Sequence, residues 1–386
     1  MSLSADGDRA IVGGHTDNSG GGAAWVWTRS GGAWTQQGTK VVGSGAVGPN
    51  TYQGFSVSLS ADGNTAIVGG FLDNSKAGAA WIFAAPAPAV FPPAVTTPAG
   101  FALIPAGTFT MGDNLGGAPI APTHAVTLAA FSLAKTETTW SEWAAVRNWA
   151  VTNGYGDLAL AGAGKADAHP VQAVSWYDVV KWLNARSEKD GLEPVYYTND
   201  AHTTVYRTGR VDVTNTQVKW TATGYRLPTE AEWEFAARGG LAGKRFPWGD
   251  TITHQQANYD SSGFYSYDTS ATRGYHPNYA TGSLPYTSPV GSFAANGYGL
   301  QDMAGNVAEW CWDWYWGGGY GSAAVTAPRG PTSGTERVYR DGNWASGAWP
   351  TASRAAISPG SIYYGGPLGV PGGGTMGFRS ARSSVP

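Results

Sequence analysis

One cysteine, Cys311, is all the thiol chemistry available to these 386 residues. It excludes an intrachain disulfide and any cage of cysteines around a metal. Charge is scarce as well. Asp, Glu, Lys and Arg make up 13% of the chain, against a usual share of roughly 25%. The net charge of −3 gives no electrostatic ground for nucleic acid or an anionic membrane as partner. No apolar run reaches the roughly 18 residues of a membrane span. The opening Met1-Ser2-Leu3-Ser4-Ala5-Asp6-Gly7 has neither the basic start nor the apolar stretch of an export signal. Gly 56, Trp 18 and Tyr 19 stand in place of the missing charge. That composition suits long irregular loops pinned by buried indoles, in a chain long enough to fold without covalent staples.

The first 85 residues hold two copies of one unit, fifty-six residues apart. Ser2-Leu3-Ser4-Ala5-Asp6-Gly7 returns as Ser58-Leu59-Ser60-Ala61-Asp62-Gly63, Ile11-Val12-Gly13-Gly14 as Ile67-Val68-Gly69-Gly70, and Ala24-Trp25 as Ala80-Trp81. Short β-branched and aromatic runs between Asp-Gly and Gly-Gly turns predict antiparallel hairpins. A period of this length resembles the FG-GAP-type repeats of β-propellers. Two such blades cannot close a ring of at least four, so the expectation is a propeller fragment or a small β-appendage. The segment Tyr52–Val57 has no counterpart before the first copy, which reads as truncated.

Residues 86–100 form a proline-rich spacer that admits neither a helix nor a central strand. Beyond it the pattern changes. Phe101–Met111 and Ala125–Leu133 are predicted strands. Thr139-Trp-Ser-Glu142, Ser175-Trp-Tyr-Asp178 and Thr229-Glu-Ala-Glu232 each set an acid three residues after a hydroxyl, as a helix capping box does. Trp176, Val179, Val180 and Leu183 fall on one helical face, and Gly239-Gly240 ends the third helix. From residue 240 onward periodicity fades into loops and short strands, so the expected class is α+β.

Five segments, in order, carry a resemblance. They are Phe101–Gly112 (FALIPAGTFTMG), His169–Trp176 (HPVQAVSW), Tyr225–Arg238 (YRLPTEAEWEFAAR), Asn296–Trp310 (NGYGLQDMAGNVAEW) and Gly377-Phe378-Arg379. Together they resemble the formylglycine-generating-enzyme, or sulfatase-modifying-factor, family. The resemblance implies a C-type lectin-like fold for residues 101–386. It also implies a structural Ca²⁺, held by the side chains of Asp302 and Glu309 and the carbonyls of Gly305 and Val307. A second family calcium position would involve Asn258. The residues agree with a hard-cation site: carboxylates on sharply turning backbone with free carbonyls. Read alone, Asp302 and Glu309 serve equally as turn caps paired with arginines.

The family's oxidase chemistry implies two cysteines, five apart, that bind Cu(I) as thiolates. Here those positions fall on or near Ser346 and Thr351, behind Arg340-Asp341-Gly342-Asn343-Trp344. Hydroxyls replace neither the ligands nor the redox partners, so copper is not expected and the chain is read as non-catalytic. Cys311 is expected to pack as a small apolar group. The six histidines show no metal spacing, and no Gly-x-Ser-x-Gly elbow occurs.

Between Arg340 and Arg379 a kept frame (Arg340, Gly342, Trp344, Arg354, Gly377-Phe378-Arg379) encloses a substituted interior. That arrangement resembles the variable proteins of diversity-generating retroelements, lectin-fold binders mutagenised at adenines. The expected binding face comprises Asp341, Asn343, Ala345, Ser346, Ala348, Ser361, Ile362, Tyr363, Tyr364 and Leu368. Its mixture of tyrosine with small polar residues is that of a paratope. The partner would be a protein or cell-surface ligand, and the resemblance implies display at the cell surface or secretion. Two alternatives stand beside this reading: a family enzyme with altered, copper-independent activity, and a surface module that makes its contacts through the repeats.

Overall fold

A computed structural model describes residues 1–30, 33–37, 39–61, 63–84, 97–115, 123–317, 321–347, 349–362 and 374–383. The chain divides into two compact units, Met1–Ala94 and Val95–Val385. None of the helices among the described residues is long and apolar enough to cross a membrane.

In the first unit each repeat copy becomes an antiparallel sheet. β1 (Ser2–Leu3), β2 (Arg9–Gly14), β3 (Ala23–Ser30) and β4 (Ala33–Gln36) lie in that order, and β5 (Ser56–Leu59), β6 (Thr65–Gly70) and β7 (Ala79–Ala84) form the second sheet. The registers repeat with the sequence: Ile11 faces Val26 in one sheet, and Ile67 faces Ile82 in the other. Each hairpin turns through a pair of left-handed residues, Asn18-Ser19 and Asn74-Ser75. Ile11, Ala24, Ala66 and Val68 make the shared core, flanked by Val26, Val41, Val57, Leu59 and Phe83. Glycine is obligatory at Gly22 (φ +77°), where a Cβ would stand 2.0 Å from the Gln53 carbonyl oxygen.

The second unit mixes helices with three small sheets. Each predicted strand there is split in two. Phe101–Met111 becomes β8 (Phe101–Ile104) and β9 (Gly107–Met111), while the next becomes β10 (His124–Leu128) and β11 (Phe131–Ala134). Pro105, which has no N–H to give a ladder, marks the first break. The pieces exchange partners across it: β8 pairs with β11, and β9 with β10. The remaining strands are β12 (Ala308–Trp314), β13 (Val325–Thr326), β14 (Arg337–Arg340), β15 (Arg354–Ile357), β16 (Met376–Gly377) and β17 (Ala381–Ser383). The sheets run β17-β11-β8, β13-β10-β9 and β15-β14-β12-β16.

All three expected helices form: α1 (Trp140–Val151), α2 (Trp176–Lys189) and α3 (Glu230–Arg238). Each starts at a reciprocal capping box on Thr139, Ser175 or Thr229, and α3 ends at left-handed Gly239. Indoles fill the core between them. Trp143 stacks on Trp182 at 5.3 Å, and Phe378 meets both edge-on. Three of the buried indole N–H groups are satisfied by backbone: Trp176 donates to Cys311 O, Trp182 to Trp143 O and Trp310 to Val174 O, at 2.9–3.0 Å. Every residue of β12 is buried. Cys311 lies inside that strand, where burial pushes its thiol well up. The strand's first turn and the end of β14 carry the site.

Candidate functional site

The turn entering β12 bends sharply because Asp302 (φ +54°), Gly305 (φ +83°) and Asn306 (φ +64°) all take left-handed backbone. Neighbouring segments hold it in place. The Asn258 carbonyl accepts the Asn306 N–H at 2.7 Å, and Asn258 Nδ2 reaches Asn306 Oδ1 at 3.3 Å. From the end of β14, Asp341 Oδ1 accepts the N–H of Gly305 at 2.8 Å and of Gly342 at 2.6 Å. From the loop before α1, Glu137 accepts the Asn306 amide at 2.8 Å and the Val307 N–H at 3.1 Å. Thus Asn258, Asp302, Gly305, Val307 and Glu309 stand at one locus. Asn258 reaches this turn from a separate segment.

Four buried carboxylates, Glu137, Asp302, Glu309 and Asp341, share this locus with the Arg379 guanidinium. Burial pushes Asp302 up to about 6, with the Glu309 charge adding to the rise. Burial, then the charges of Asp302 and Glu309, hold Glu137 well above the carboxylate range, and burial does the same to Asp341. Asp302 Oδ1, Asp341 Oδ2 and Asn258 Oδ1 are buried with no hydrogen-bond donor among the described residues. Buried acceptors of this kind are costly unless a proton or cation satisfies them.

Glu309 departs from its expected role as a free ligand. Arg379 Nε and Nη2 bind both its oxygens at 2.6–2.9 Å, and Trp233 Nε1 takes Oε2 at 2.7 Å. The guanidinium already neutralises it. Among the described residues, moreover, no three His, Cys, Asp or Glu side chains are placed to hold a metal by themselves. A cation here therefore needs backbone carbonyls. The residues that fit it are Asp302 and Asn258 through their unsatisfied oxygens, with Glu137 adding charge. Glu137 escaped sequence reasoning because it lies far from the turn in sequence. Only the acid in Lys135-Thr-Glu137 hinted at it.

Behind the site runs a second ionic lattice. Glu230, at the start of α3, receives Arg340 at 3.0 Å and Arg354 twice at 2.9 Å. Glu234 receives Arg340 at 2.5 Å and Arg238 at 2.6 and 3.0 Å. All five side chains are buried, which fixes β14 and β15 to α3.

Two residues expected on the binding face lie inside the protein instead. Asp341 is tied to Gly305, as described. Asn343 is fully buried, and its Oδ1 caps the N–H of Ala345 at 2.9 Å. Both lack the surface a ligand would touch. Ala345 and Ser346 are half-buried, with the Ser346 carbonyl accepting the Asp260 N–H at 2.9 Å. Ser361 and Ile362, also half-buried, follow Pro359, whose carbonyl receives the first N–H of α2. Ala348, Tyr363, Tyr364 and Leu368 lie outside the described residues.

Beside Ser346 lies a cluster of aromatic side chains. Gly347 faces the Tyr265 ring, and Trp344 packs against Tyr275 at 5.8 Å and Tyr286 at 5.6 Å. Tyr275 is exposed, and Asp260 is half-buried with its carboxyl pushed up by that burial. The tyrosines crowded between residues 264 and 286 were the available signal.

Ser346 and Thr351 differ in setting. Ser346 Oγ accepts the Asn343 N–H at 2.9 Å, while Thr351 is buried with no hydrogen-bond partner for its hydroxyl among the described residues.

The model of the sulfatase-modifying factor enzyme 1-like domain matches residues 87–383. The formylglycine-generating enzyme of Streptomyces coelicolor is 33% identical over 304 residues, spanning 73% of this chain and 88% of the enzyme. The chaperone protein LppX of Paenibacillus barcinonensis is 33% identical over 268 residues, spanning 67% and 82%. Among solved structures, Treponema denticola variable protein 1 superposes with a TM-score of 0.53 at 29% identity, covering 73% of this chain and 94% of that one.

Proposed function

Because the chain belongs to the sulfatase-modifying factor enzyme 1-like family, we propose that its family domain serves as a binding scaffold and not as a thiolate-copper oxidase. One observation carries the reading: the chain has a single cysteine, so no thiolate pair is available, and that cysteine is sealed inside β12. A buried thiol whose ionisation is suppressed neither binds Cu(I) nor exchanges electrons with substrate. Likeness to a variable protein in structure supports a diversified face of the retroelement type. That face would centre on Ala345 and Ser346, with Ser361 and Ile362 on the same C-terminal segment. Tyr265 and Tyr275 would supply rigid aromatic area at low entropic cost. The scaffold beneath would be held by Ca²⁺ at Asp302, with the carbonyls of Gly305 and Val307 completing an oxygen shell. The cation's part there is charge neutralisation, while Asp341 and Glu137 orient the turn through their hydrogen bonds.

A second reading follows from the names of the relatives: an enzyme of altered, copper-independent activity. Incubating the protein with a cysteine-containing sulfatase peptide, with and without copper, separates the two. The expected result is no peptide aldehyde by mass spectrometry. Multiple-turnover formation of formylglycine would overturn the scaffold reading.

A further inference from the structure

A cleft of about 470 Å³ lies in the family domain beyond the end of β12, and Trp316, Val325, Pro328, Arg329, Pro331 and Arg354 help to line it. That volume falls in the range of small-molecule sites, roughly 300–1,000 Å³. The wall that carries Arg329 is fixed from several sides. β13 pairs with β10, and the Ala327 N–H then donates to Thr127 O at 2.9 Å. Asn215 Nδ2 reaches the Arg329 carbonyl at 3.4 Å, while Asn215 Oδ1 accepts the Trp312 indole N–H at 2.7 Å. Gly330 takes left-handed backbone (φ +69°) and lies so close on Asp313 that a Cβ there would stand 2.8 Å from the aspartate's own. Pro328 and Pro331 restrict the same loop further.

Charge around this cleft does not balance. Arg329 lays its guanidinium over the Trp220 ring at 4.1 Å, and among the described residues no hydrogen bond or ion pair uses its N–H groups. Glu232, the acid whose charge reaches it, is already clamped by Arg226 at 2.6 and 2.7 Å. A guanidinium stacked flat on an indole is preorganised, so its fork of donors has little freedom left to lose on binding. Arg354 is different, because its Nε and Nη2 both hold Glu230 at 2.9 Å. The buried lattice to which it belongs nevertheless sets Arg238, Arg340 and Arg354 against only Glu230 and Glu234. Asp313, under Gly330, does not offset that excess: burial and then the Glu230 charge push it up to about 8, so it is neutral at pH 7. Wall and floor are therefore both positive. The flank is apolar instead, with Trp316 60% exposed beside Val325 and the two prolines.

We propose that this cleft binds a small aromatic acid, its carboxylate on the Arg329 fork and its ring against Trp316. The unspent guanidinium selects an anion over a neutral ligand, since it has donors and charge to satisfy. A carboxylate matches the planar fork through two parallel hydrogen bonds. The exposed indole and the prolines select a ring over a bare ion, because a flat apolar body covers them and a hydrated anion does not. The inference stands whether or not the face at Ala345 and Ser346 is diversified, for the two share no residue.

Isothermal titration of the full chain with naphthoate, its neutral amide naphthamide, and acetate tests both halves of the assignment. Naphthoate is expected to bind at least about tenfold more tightly than either of the others. Arg329→Gln should remove its advantage over the amide, and Trp316→Ala should weaken both ring compounds. Arg273→Gln, at an exposed arginine outside the cleft, should leave naphthoate affinity unchanged. Circular dichroism checks that each variant is folded. Should Arg329→Gln not fold, Arg329→Lys takes its place, with an affinity between those of the unaltered chain and the amide. Absence of naphthoate binding at millimolar concentration would overturn the proposal. So would equal affinity for acid and amide, or naphthoate binding that is indifferent to Arg329.

Discussion

The charge balance around Asp302 gives a measurable link between pH and stability, and calcium, on the proposed reading, would add to it. The aspartate is pushed up to about 6 by burial, from 3.8 in the unfolded chain. Between those values the folded protein keeps a proton that the unfolded chain has released. Stability therefore falls as pH rises from about 4 to above 6, the reverse of an aspartate held in a salt bridge. A rise of about two units corresponds to about 3 kcal/mol, at ~1.4 kcal/mol per unit. Glu137 and Asp341, also pushed up, add in the same direction. For a unit of this size that is about 6 °C in melting temperature, at about 2 °C per kcal/mol. Calcium acts on the ionised form. At a hundredfold excess over its dissociation constant it restores about 2.7 kcal/mol. Thermal melts in chelator should thus lose several degrees between pH 4.5 and 7.5, and added Ca²⁺ should recover most of the loss at pH 7.5. Asp302→Asn should make the pH profile shallower, leaving the part carried by Glu137 and Asp341, and abolish the calcium response. A profile that is flat in chelator would refute the electrostatic argument. A falling profile that calcium leaves unchanged would refute the cation.

Two further substitutions test the scaffold. Glu230→Ala strands Arg354 and half of Arg340 in the interior, which should cost about 3–5 kcal/mol; a urea midpoint that moves by less than one kcal/mol equivalent would mean the lattice is dispensable. Thr139→Ala removes the hydroxyl that accepts the Glu142 N–H at the head of α1, and a loss of about 1 kcal/mol is expected by the same denaturation assay.

Local rules were legible in the sequence where they act over a few residues. The three capping boxes were read directly, because a hydroxyl and an acid three apart solve one helix end by themselves. The strand from Phe101 was read as continuous because alternation persists through Pro105. The switch of partners there is set by β10 and β11, which no window around Pro105 contains. The buried carboxylate locus was half legible. Asp302, Gly305 and Val307 share one turn, whereas Glu137, Asn258 and Asp341 reach it from three separate segments. Glu309 illustrates the opposite limit: a carboxylate beside a turn reads the same whether a metal or Arg379 neutralises it.

The burial of Asp341 and Asn343 sharpens what a diversified face would have to look like. Both stand among kept residues, between Arg340 and Trp344. From sequence they pass for variable positions. Their contacts say otherwise. Asp341 supplies the acceptor for Gly305 and sits in left-handed backbone at φ +71°, so a β-branched or large residue there would strain the turn. Asn343 caps the turn that carries Ala345 and Ser346, so its loss would disorder the face it supports. Adenine-directed mutagenesis does not consult structure, but selection for folded protein does. Resequencing the 3′ end of the gene across many isolates should therefore find substitutions at codons 345, 346, 361 and 362, with 341 and 343 nearly fixed. Equal variation at all six would show that the turn tolerates what its geometry forbids. An invariant stretch throughout would remove the retroelement reading and leave a scaffold with a single, fixed ligand.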